Sequence, residues 1–310
     1  MKLLSVVTPC YNEEENIDLV YTRVKSVLEK LGDYNYEHIF IDNCSTDGTI
    51  SVLKQLAATD KRVKVIINAR NFGHIRSPYY ALLQAKGDAV ISVVADLQEP
   101  PELLEKFVKK WEEGYKIVIG VKNKSKENPV MNSIRKLYYN LMKRLSEVDQ
   151  IKNFTGFGLY DKEIIEILKL FKEPSPYFRG LIAEIGFDRA EIEFVQPRRE
   201  KGKTKNNFYT LYDLAILGFV SHSKIPLRIS VFLGFGLSVL SFVSAVGYLV
   251  YKLIFWDRFQ VGIAPLVIGL FFFFSVILFF IGIIGEYIGV IYTKIMDRPL
   301  VIEKERINFD

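Results

Sequence analysis

The chain has 310 residues, 49% of them hydrophobic and 25% charged, with a formal net charge of +5. That length holds one core-sized domain with residues to spare. Two cysteines, Cys10 and Cys44, and three histidines, His38, His74 and His222, exclude a disulfide framework and a Cys/His zinc cluster, and they fit a reduced compartment.

In chain order, residues 3–8 read as a buried strand, and the polar cluster Thr8-Pro9-Cys10-Tyr11-Asn12-Glu13 leads from it into helical periodicity over 14–31. A second strand over 38–42 ends in Asp42-Asn43-Cys44-Ser45-Thr46-Asp47-Gly48-Thr49, ahead of a helix over 49–58. Strand 63–67 and helix 75–85 follow, then strand 89–94, the cluster Asp96-Leu97-Gln98-Glu99-Pro100-Pro101 and a helix over 101–113. Repeated β-α units predict a mostly parallel sheet with helices on both faces, and ligands of such sheets bind beyond the carboxyl ends of the strands. Each cluster has a local reading too: a helix start, an Asx/Gly turn capping 49–58, and a proline-started helix. Their convergence on one sheet edge argues for a site. No G-x-G-x-x-G follows the first strand, and Gly156-Phe157-Gly158 lacks a third glycine, so no dinucleotide site is expected.

Further on, Ile134, Leu137, Tyr138, Leu141 and Leu145 have helical spacing, with Arg135, Lys136, Lys143 and Arg144 on the polar side. The basic loop Arg198-Arg199-Glu200-Lys201-Gly202-Lys203-Thr204-Lys205 precedes an amphipathic stretch over 208–220 that suits a membrane interface. Two uncharged apolar runs, 229–251 and 261–285, each exceed the roughly 20 residues that cross a bilayer core. Lys224 and Arg228 precede them and Lys294, Arg298, Lys304 and Arg306 follow, against Lys252 and Arg258 between. The positive-inside rule then makes this an integral protein of the inner or plasma membrane with head and both termini cytoplasmic. The expected division is a head over 1–206, juxtamembrane helices over 207–228, two transmembrane helices over 229–293 and a tail over 294–310. No secretory signal is expected, since residues 1–9 are too short for an apolar core and Asn12-Glu13-Glu14-Glu15 follows. On that topology the sequons Asn43-Cys44-Ser45 and Asn153-Phe154-Thr155 meet no lumenal enzyme. Glu286 falls at the edge of the second span, where an interfacial structural role is expected, and Gly285 and Gly289 form a small-xxx-small face for helix packing within or between subunits of a homo-oligomer.

The strings Val6-Val7-Thr8-Pro9-Cys10-Tyr11-Asn12-Glu13-Glu14, Ile41-Asp42-Asn43-Cys44-Ser45-Thr46-Asp47-Gly48-Thr49, Ala69-Arg70-Asn71-Phe72-Gly73 and Ala95-Asp96-Leu97-Gln98-Glu99-Pro100-Pro101 resemble those of the family-2 glycosyltransferases of the GT-A fold. Within them the chain is most similar to the polyprenyl-phosphate glycosyltransferases, which include dolichol-phosphate mannose synthase and the bactoprenol glucosyltransferases. The likeness extends to Gly202-Lys203-Thr204-Lys205, Pro226-Leu227-Arg228, Gly285-Glu286-Tyr287 and Arg298-Pro299, nearly the whole chain. The Gln-x-x-Arg-Trp motif of the processive synthases is absent.

This resemblance implies an α/β GT-A catalytic domain, a Rossmann-like mostly parallel sheet, with two C-terminal transmembrane helices. It places Pro9, Tyr11 and Glu13 in the nucleotide pocket, Asp42 at the base, and Asp96 with Gln98 on a divalent metal, Mg²⁺ or Mn²⁺, that bridges the sugar-nucleotide diphosphate. Three positions depart from the family pattern: Val94 stands where a first metal carboxylate is usual, Asn43 where aspartate is common, and His74 where a basic residue is. One carboxylate suffices for Mg²⁺ when substrate phosphates and water complete the shell, so Val94 bears on metal affinity more than on catalysis.

The implied reaction is inverting transfer of a hexose, glucose from UDP-glucose, onto undecaprenyl phosphate at the cytoplasmic face. A phosphate monoester has a second pKa near 6, so the acceptor is already a dianionic nucleophile and asks chiefly for cationic positioning. Arg199 and Lys205 are expected to supply it beside Asp96, with Arg198 and Arg135 as further acceptor-phosphate contacts. The expected partners are a UDP-sugar donor, a polyprenyl phosphate acceptor and membrane lipids, with no nucleic acid. Two alternatives stand beside this reading: the same chemistry with GDP-mannose or a UDP-aminosugar, and a catalytically inactive nucleotide-binding membrane scaffold.

Overall fold

The computed structural model describes residues 1–123, 151, 153–197, 225–255, 263–296 and 298–309. The strands β1 (Lys2–Cys10), β2 (Tyr34–Asp42), β3 (Val63–Asn68) and β4 (Ala89–Ser92) form the parallel centre, joined by α1 (Glu14–Lys30), α2 (Thr49–Thr59) and α3 (Gly73–Gln84). After a 3-10 turn and α4 (Leu104–Glu112) come β5 (Ile117–Lys122), β6 (Phe154–Asp161), α5 (Lys162–Leu170), α6 (Phe178–Ile185) and β7 (Arg189–Phe194). The helices α7 (Ile225–Ile254) and α8 (Ile263–Ile295) precede a last strand, β8 (Glu303–Ile307).

These strands make one eight-stranded sheet in the order β7-β5-β6-β4-β1-β2-β3-β8, in which β6 runs antiparallel to both β4 and β5, and β8 antiparallel to β3. Alternation along the strands divides the core in two. On one face Leu4, Val6, Phe40, Val63 and Val65 meet Ile17, Val24, Leu53 and Phe107 of α1, α2 and α4. On the other, Val7, Ile39, Ile41 and Ile66 meet Tyr79, Leu82, Ile165 and Leu168 of α3 and α5. The expected β-α alternation is present with shifted ends: β2 begins earlier than residue 38, and β4 closes at Ser92 because the chain turns into the third cluster there.

The tail is more than an appendage. Ala69 donates its N–H to the Ile302 carbonyl at 2.9 Å, and β8 then pairs along β3 from Asn68 to Val65. Glu303-Lys304-Glu305-Arg306-Ile307 is too charged to announce a strand, yet charge is what an edge strand exposes to discourage further pairing. Lys54 and Glu305 pair at 2.6 Å across this edge, and Val301 is buried under it.

Both C-terminal helices are long, 30 and 33 residues. Within α8 the segment Phe272–Ile295 has a mean hydropathy of 2.3 over a fully unburied window, enough in length and composition to cross a membrane, and among the described residues it is the one helix that meets that criterion. Its end is tied to the head by Lys294, whose Nζ meets Glu173 Oε1 at 2.7 Å.

Candidate functional site

The chain runs β1-β2-β3 to one side of β1 and then crosses back to place β4 on the other, so the sheet order reverses between β1 and β4. A crevice opens at the carboxyl ends of strands at such a reversal. Its walls here are Pro9 to Glu13 at the end of β1 and Val94 to Glu99 after β4, with Asp42 to Thr49 at the end of β2. The three clusters that the sequence singled out therefore share one edge. Each holds one non-glycine residue in the left-handed region: Asn12 at φ 53°, Cys44 at 64° and Leu97 at 56°. Asparagine tolerates that conformation; leucine does so only where its surroundings hold it.

The first two clusters are bolted together. Asn12 N–H donates to Ser45 Oγ at 2.8 Å, Thr46 N–H to Asn12 Oδ1 at 2.7 Å, Glu13 N–H to Thr49 Oγ1 at 2.9 Å and Gly48 N–H to Glu14 Oε2 at 2.9 Å. Asp42 is wholly buried, accepting from Ser45 N–H at 2.9 Å and also from Ser45 Oγ. Burial raises its carboxyl above the usual range, while the Ser45 bonds pull the other way. Cys10, also buried, has its thiol pushed well up by that burial and by Asp42, which removes it as a nucleophile.

Asn43 is a hub. Its Oδ1 accepts from Phe72 N–H at 2.9 Å and Asn68 Nδ2 at 3.2 Å, and its Nδ2 donates to Asn71 Oδ1 at 2.9 Å and to the Gly73 carbonyl at 3.1 Å. An N–H can only donate and a carbonyl only accept, so this position needs both halves of an amide. Aspartate could not donate to Gly73, which explains the departure at Asn43. The same bonds bury the amide of the Asn43 sequon.

In the third cluster exposure alternates: Val94, Asp96 and Gln98 are half-open while Val93, Ala95, Leu97 and Glu99 are buried. Asp96 Oδ1 accepts from Gln98 N–H at 3.1 Å. On the covered side Glu99 accepts from Thr155 Oγ1 at 2.6 Å and from Val94 N–H at 3.2 Å, clamping the loop to β6. Burial pushes its carboxyl up to about 7 against those bonds, and the Asp96 charge adds to the rise.

Residues 5–168 match the family model described as glycosyl transferase family 2. The chain belongs to that family.

Over 299 residues this glycosyltransferase is 34% identical to the uncharacterized glycosyltransferase YkcC of Bacillus subtilis (strain 168), covering 96% of this chain and 92% of that one. Over 303 residues it is 31% identical to the SfII prophage-derived bactoprenol glucosyl transferase of Shigella flexneri, covering 97% of each. The crystal structure of mannosyl-3-phosphoglycerate synthase from Rubrobacter xylanophilus aligns with a TM-score of 0.48 at 17% identity, over 69% of this chain and 71% of that one.

Of the residues expected at the site, Pro9, Tyr11, Glu13, Asp96 and Gln98 lie at the crevice. Asp42 lies beside it, its carboxylate covered and held by Ser45. Arg135, Arg198, Arg199 and Lys205 fall outside the described residues, as does the 208–220 stretch. Among the described residues no three Asp, Glu, His or Cys side chains gather as a metal cluster. In the third cluster the donor set is one half-open carboxylate, Asp96, with the half-open Gln98 two residues on, its backbone N–H bonded to Asp96 Oδ1. That suits a hard cation whose remaining ligands are diphosphate oxygens and water. The clamp by Glu99 and Thr155 and the Asn43 hub went unassigned from sequence. The signal for Glu99 was its place directly after Gln98, and Thr155 was marked in the sequence only as the end of a sequon.

Proposed function

We propose that this glycosyltransferase moves a hexose, glucose from UDP-glucose, onto undecaprenyl phosphate at the cytoplasmic face of the membrane. One observation carries the reading. The chain leaves α8, pairs its tail with β3, and so brings the end of an apolar helix to the carboxyl edge of the sheet, where the three clusters open. A site at a membrane surface suits an acceptor that cannot leave it. The near full-length likeness to a protein named bactoprenol glucosyl transferase supports both acceptor and sugar.

In this reading Pro9, Tyr11 and Glu13 line the nucleotide pocket, and Asp96 and Gln98 hold the Mg²⁺ or Mn²⁺. The bound ion supplies neutralisation of charge on the leaving diphosphate. An acceptor phosphate oxygen attacks the anomeric carbon as the bond to the diphosphate breaks, and a single displacement inverts that centre. The acceptor is dianionic near neutral pH, so no side chain has to take a proton from it. Asp42 is assigned to the base, and its bonds from Ser45 fix the turn that meets the first cluster. Arg199 and Lys205, with Arg198 and Arg135, are assigned to the acceptor phosphate, α7 with α8 to the two spans, and both termini to the cytoplasm. The Gly285 and Gly289 face is assigned to helix packing in a homo-oligomer.

Membranes carrying the protein, incubated with labelled nucleotide sugars and undecaprenyl phosphate, test this reading through the lipid fraction. Label from UDP-glucose should enter the lipid. Label from GDP-mannose or a UDP-aminosugar instead would move the donor assignment, and no labelled lipid from any donor would end the reading.

A further inference from the structure

The loop that carries Asp96 is closed on itself by a side chain. Glu99 is 4% exposed, and each of its carboxylate oxygens holds a donor: Oε2 accepts from the Val94 N–H at 3.2 Å and Oε1 from the Thr155 hydroxyl at 2.6 Å. The first bond ties the end of the 94–99 loop to its start. The second ties both to β6, which runs antiparallel to β4 and β5, so that Thr155, its second residue, stands at the edge where β4 ends.

The β6 end of this clasp is itself fixed. Register between β5 and β6 shifts between Ile119 and Val121, beside Phe154, and such irregularities re-aim a side chain at a strand end. Tyr160 Oη donates to the Gly156 carbonyl at 2.8 Å, and Phe157 packs on Phe107 of α4 with ring centroids 4.8 Å apart. Inside the loop Leu97 is buried at φ 56°, a costly conformation for leucine that persists only where its surroundings impose it. With Leu97 held below and the loop clasped at Glu99, Asp96 and Gln98 are left on the open side. A carboxylate is expensive to bury, and an apolar residue would fill the same space at less cost. What Glu99 adds is two accepted bonds that fix where the loop lies.

We propose that Glu99 and Thr155 are positioning residues for the metal carboxylate: their bond holds the loop so that Asp96 meets a divalent cation together with the nucleotide diphosphate. This rests on the function proposed above and adds what lets one carboxylate serve where Val94 offers none. Groups that hold a metal ligand in place alter metal affinity by about 10- to 100-fold. A loop with a single carboxylate depends on that support the more.

The test is Mn²⁺ binding to the full-length protein in proteoliposomes with saturating UDP, read by electron paramagnetic resonance, beside transfer from UDP-glucose to undecaprenyl phosphate. Thr155→Val keeps the size of the side chain and removes the hydroxyl. It should raise the Mn²⁺ Kd and the metal concentration for half-activation about tenfold or more, with kcat at saturating metal within about threefold of wild type. Thr155→Ser restores the hydroxyl and should lie within about twofold of wild type in both. Glu99→Gln removes one of the two accepting oxygens and should raise the Mn²⁺ Kd as well. UDP binding without metal checks that each variant is folded, and Thr155→Val decides if the Glu99 variant is not. An unchanged Mn²⁺ Kd in Thr155→Val would overturn the inference, even if its melting temperature falls, because the clasp would then serve stability alone. So would a loss confined to kcat or to the acceptor KM, which would bring Thr155 to the substrate itself, and so would wild type that holds no Mn²⁺ with UDP. Wild type that binds Mn²⁺ as described but transfers no sugar defeats the proposed function alone; active variants that match wild type in Mn²⁺ binding defeat this inference alone.

Discussion

Asp96 is the half-open carboxylate of the third cluster, and Asp96→Ala should abolish transfer while leaving membrane insertion intact. Retention of more than roughly a tenth of turnover at saturating Mg²⁺ or Mn²⁺ would remove it from the metal, since losing that bridge should cost more than about 1.4 kcal/mol. Val94 shares the open side with Asp96, so Val94→Asp should lower the metal concentration for half-activation. A second residue-level expectation concerns His38, buried in β2 with its Nε2 2.9 Å from Thr8 Oγ1 and its ring stacked on Phe40. Burial lowers its pKa from 6.5 to about 3. Between those values the unfolded chain binds the proton that the folded chain refuses, so stability is lost as pH falls below about 6.5, by up to about 1.4 kcal/mol per unit. Thermal unfolding from pH 7 to pH 5 should show that slope in wild type and a flatter one in His38→Gln; parallel slopes would mean that His38 is not the group responsible. At this scale the sequence was informative about residue type and silent about facing. Asp42, Asn43 and Glu99 all stood in the clusters, but only the fold reveals that Asp42 is covered, that Asn43 needs both halves of its amide, and that Glu99 points away from Asp96 toward Thr155.

Among elements, the β-α repeats of the first half were legible because buried parallel strands are continuous apolar runs between amphipathic helices. What followed was not. The glycines of Gly156-Phe157-Gly158 serve β6: Gly156 has φ +107°, and a Cβ on Gly158 would stand 2.4 Å from the Val118 carbonyl oxygen of the neighbouring strand. β8 hid behind its charge. It now bears on any soluble form of the head, because a truncation ending near Lys205 removes the strand that covers β3. Deleting residues 299–310 exposes that edge and the surface under Val301, at a cost of about 3 kcal/mol. For a domain of this size the melting temperature should fall by roughly 10 °C, and a peptide spanning 298–309 should recover part of it. An unchanged melting temperature would mean that β8 docks without stabilising the head.

At the scale of the whole molecule, the sheet reversal makes the crevice, the loop clamps shape it, and the return from α8 to β8 brings the end of a helix long and apolar enough to cross a membrane to the same edge of the sheet. Charge and hydropathy give the expectation of a head with a C-terminal anchor. They say nothing of the end of the apolar helix and the site sharing an edge, because that depends on the direction of the last strand.

The most direct measurement is the anomeric configuration of the lipid product made by full-length protein in proteoliposomes from UDP-α-glucose and undecaprenyl phosphate, read by nuclear magnetic resonance and mass spectrometry. Attack by the lipid phosphate on the anomeric carbon, with the UDP diphosphate leaving from the Asp96 loop, predicts a β-glucosyl phospholipid, lost in Asp96→Ala. An α-linked product, or glucose released into water with no glycolipid, would contradict a single displacement by a membrane-borne phosphate.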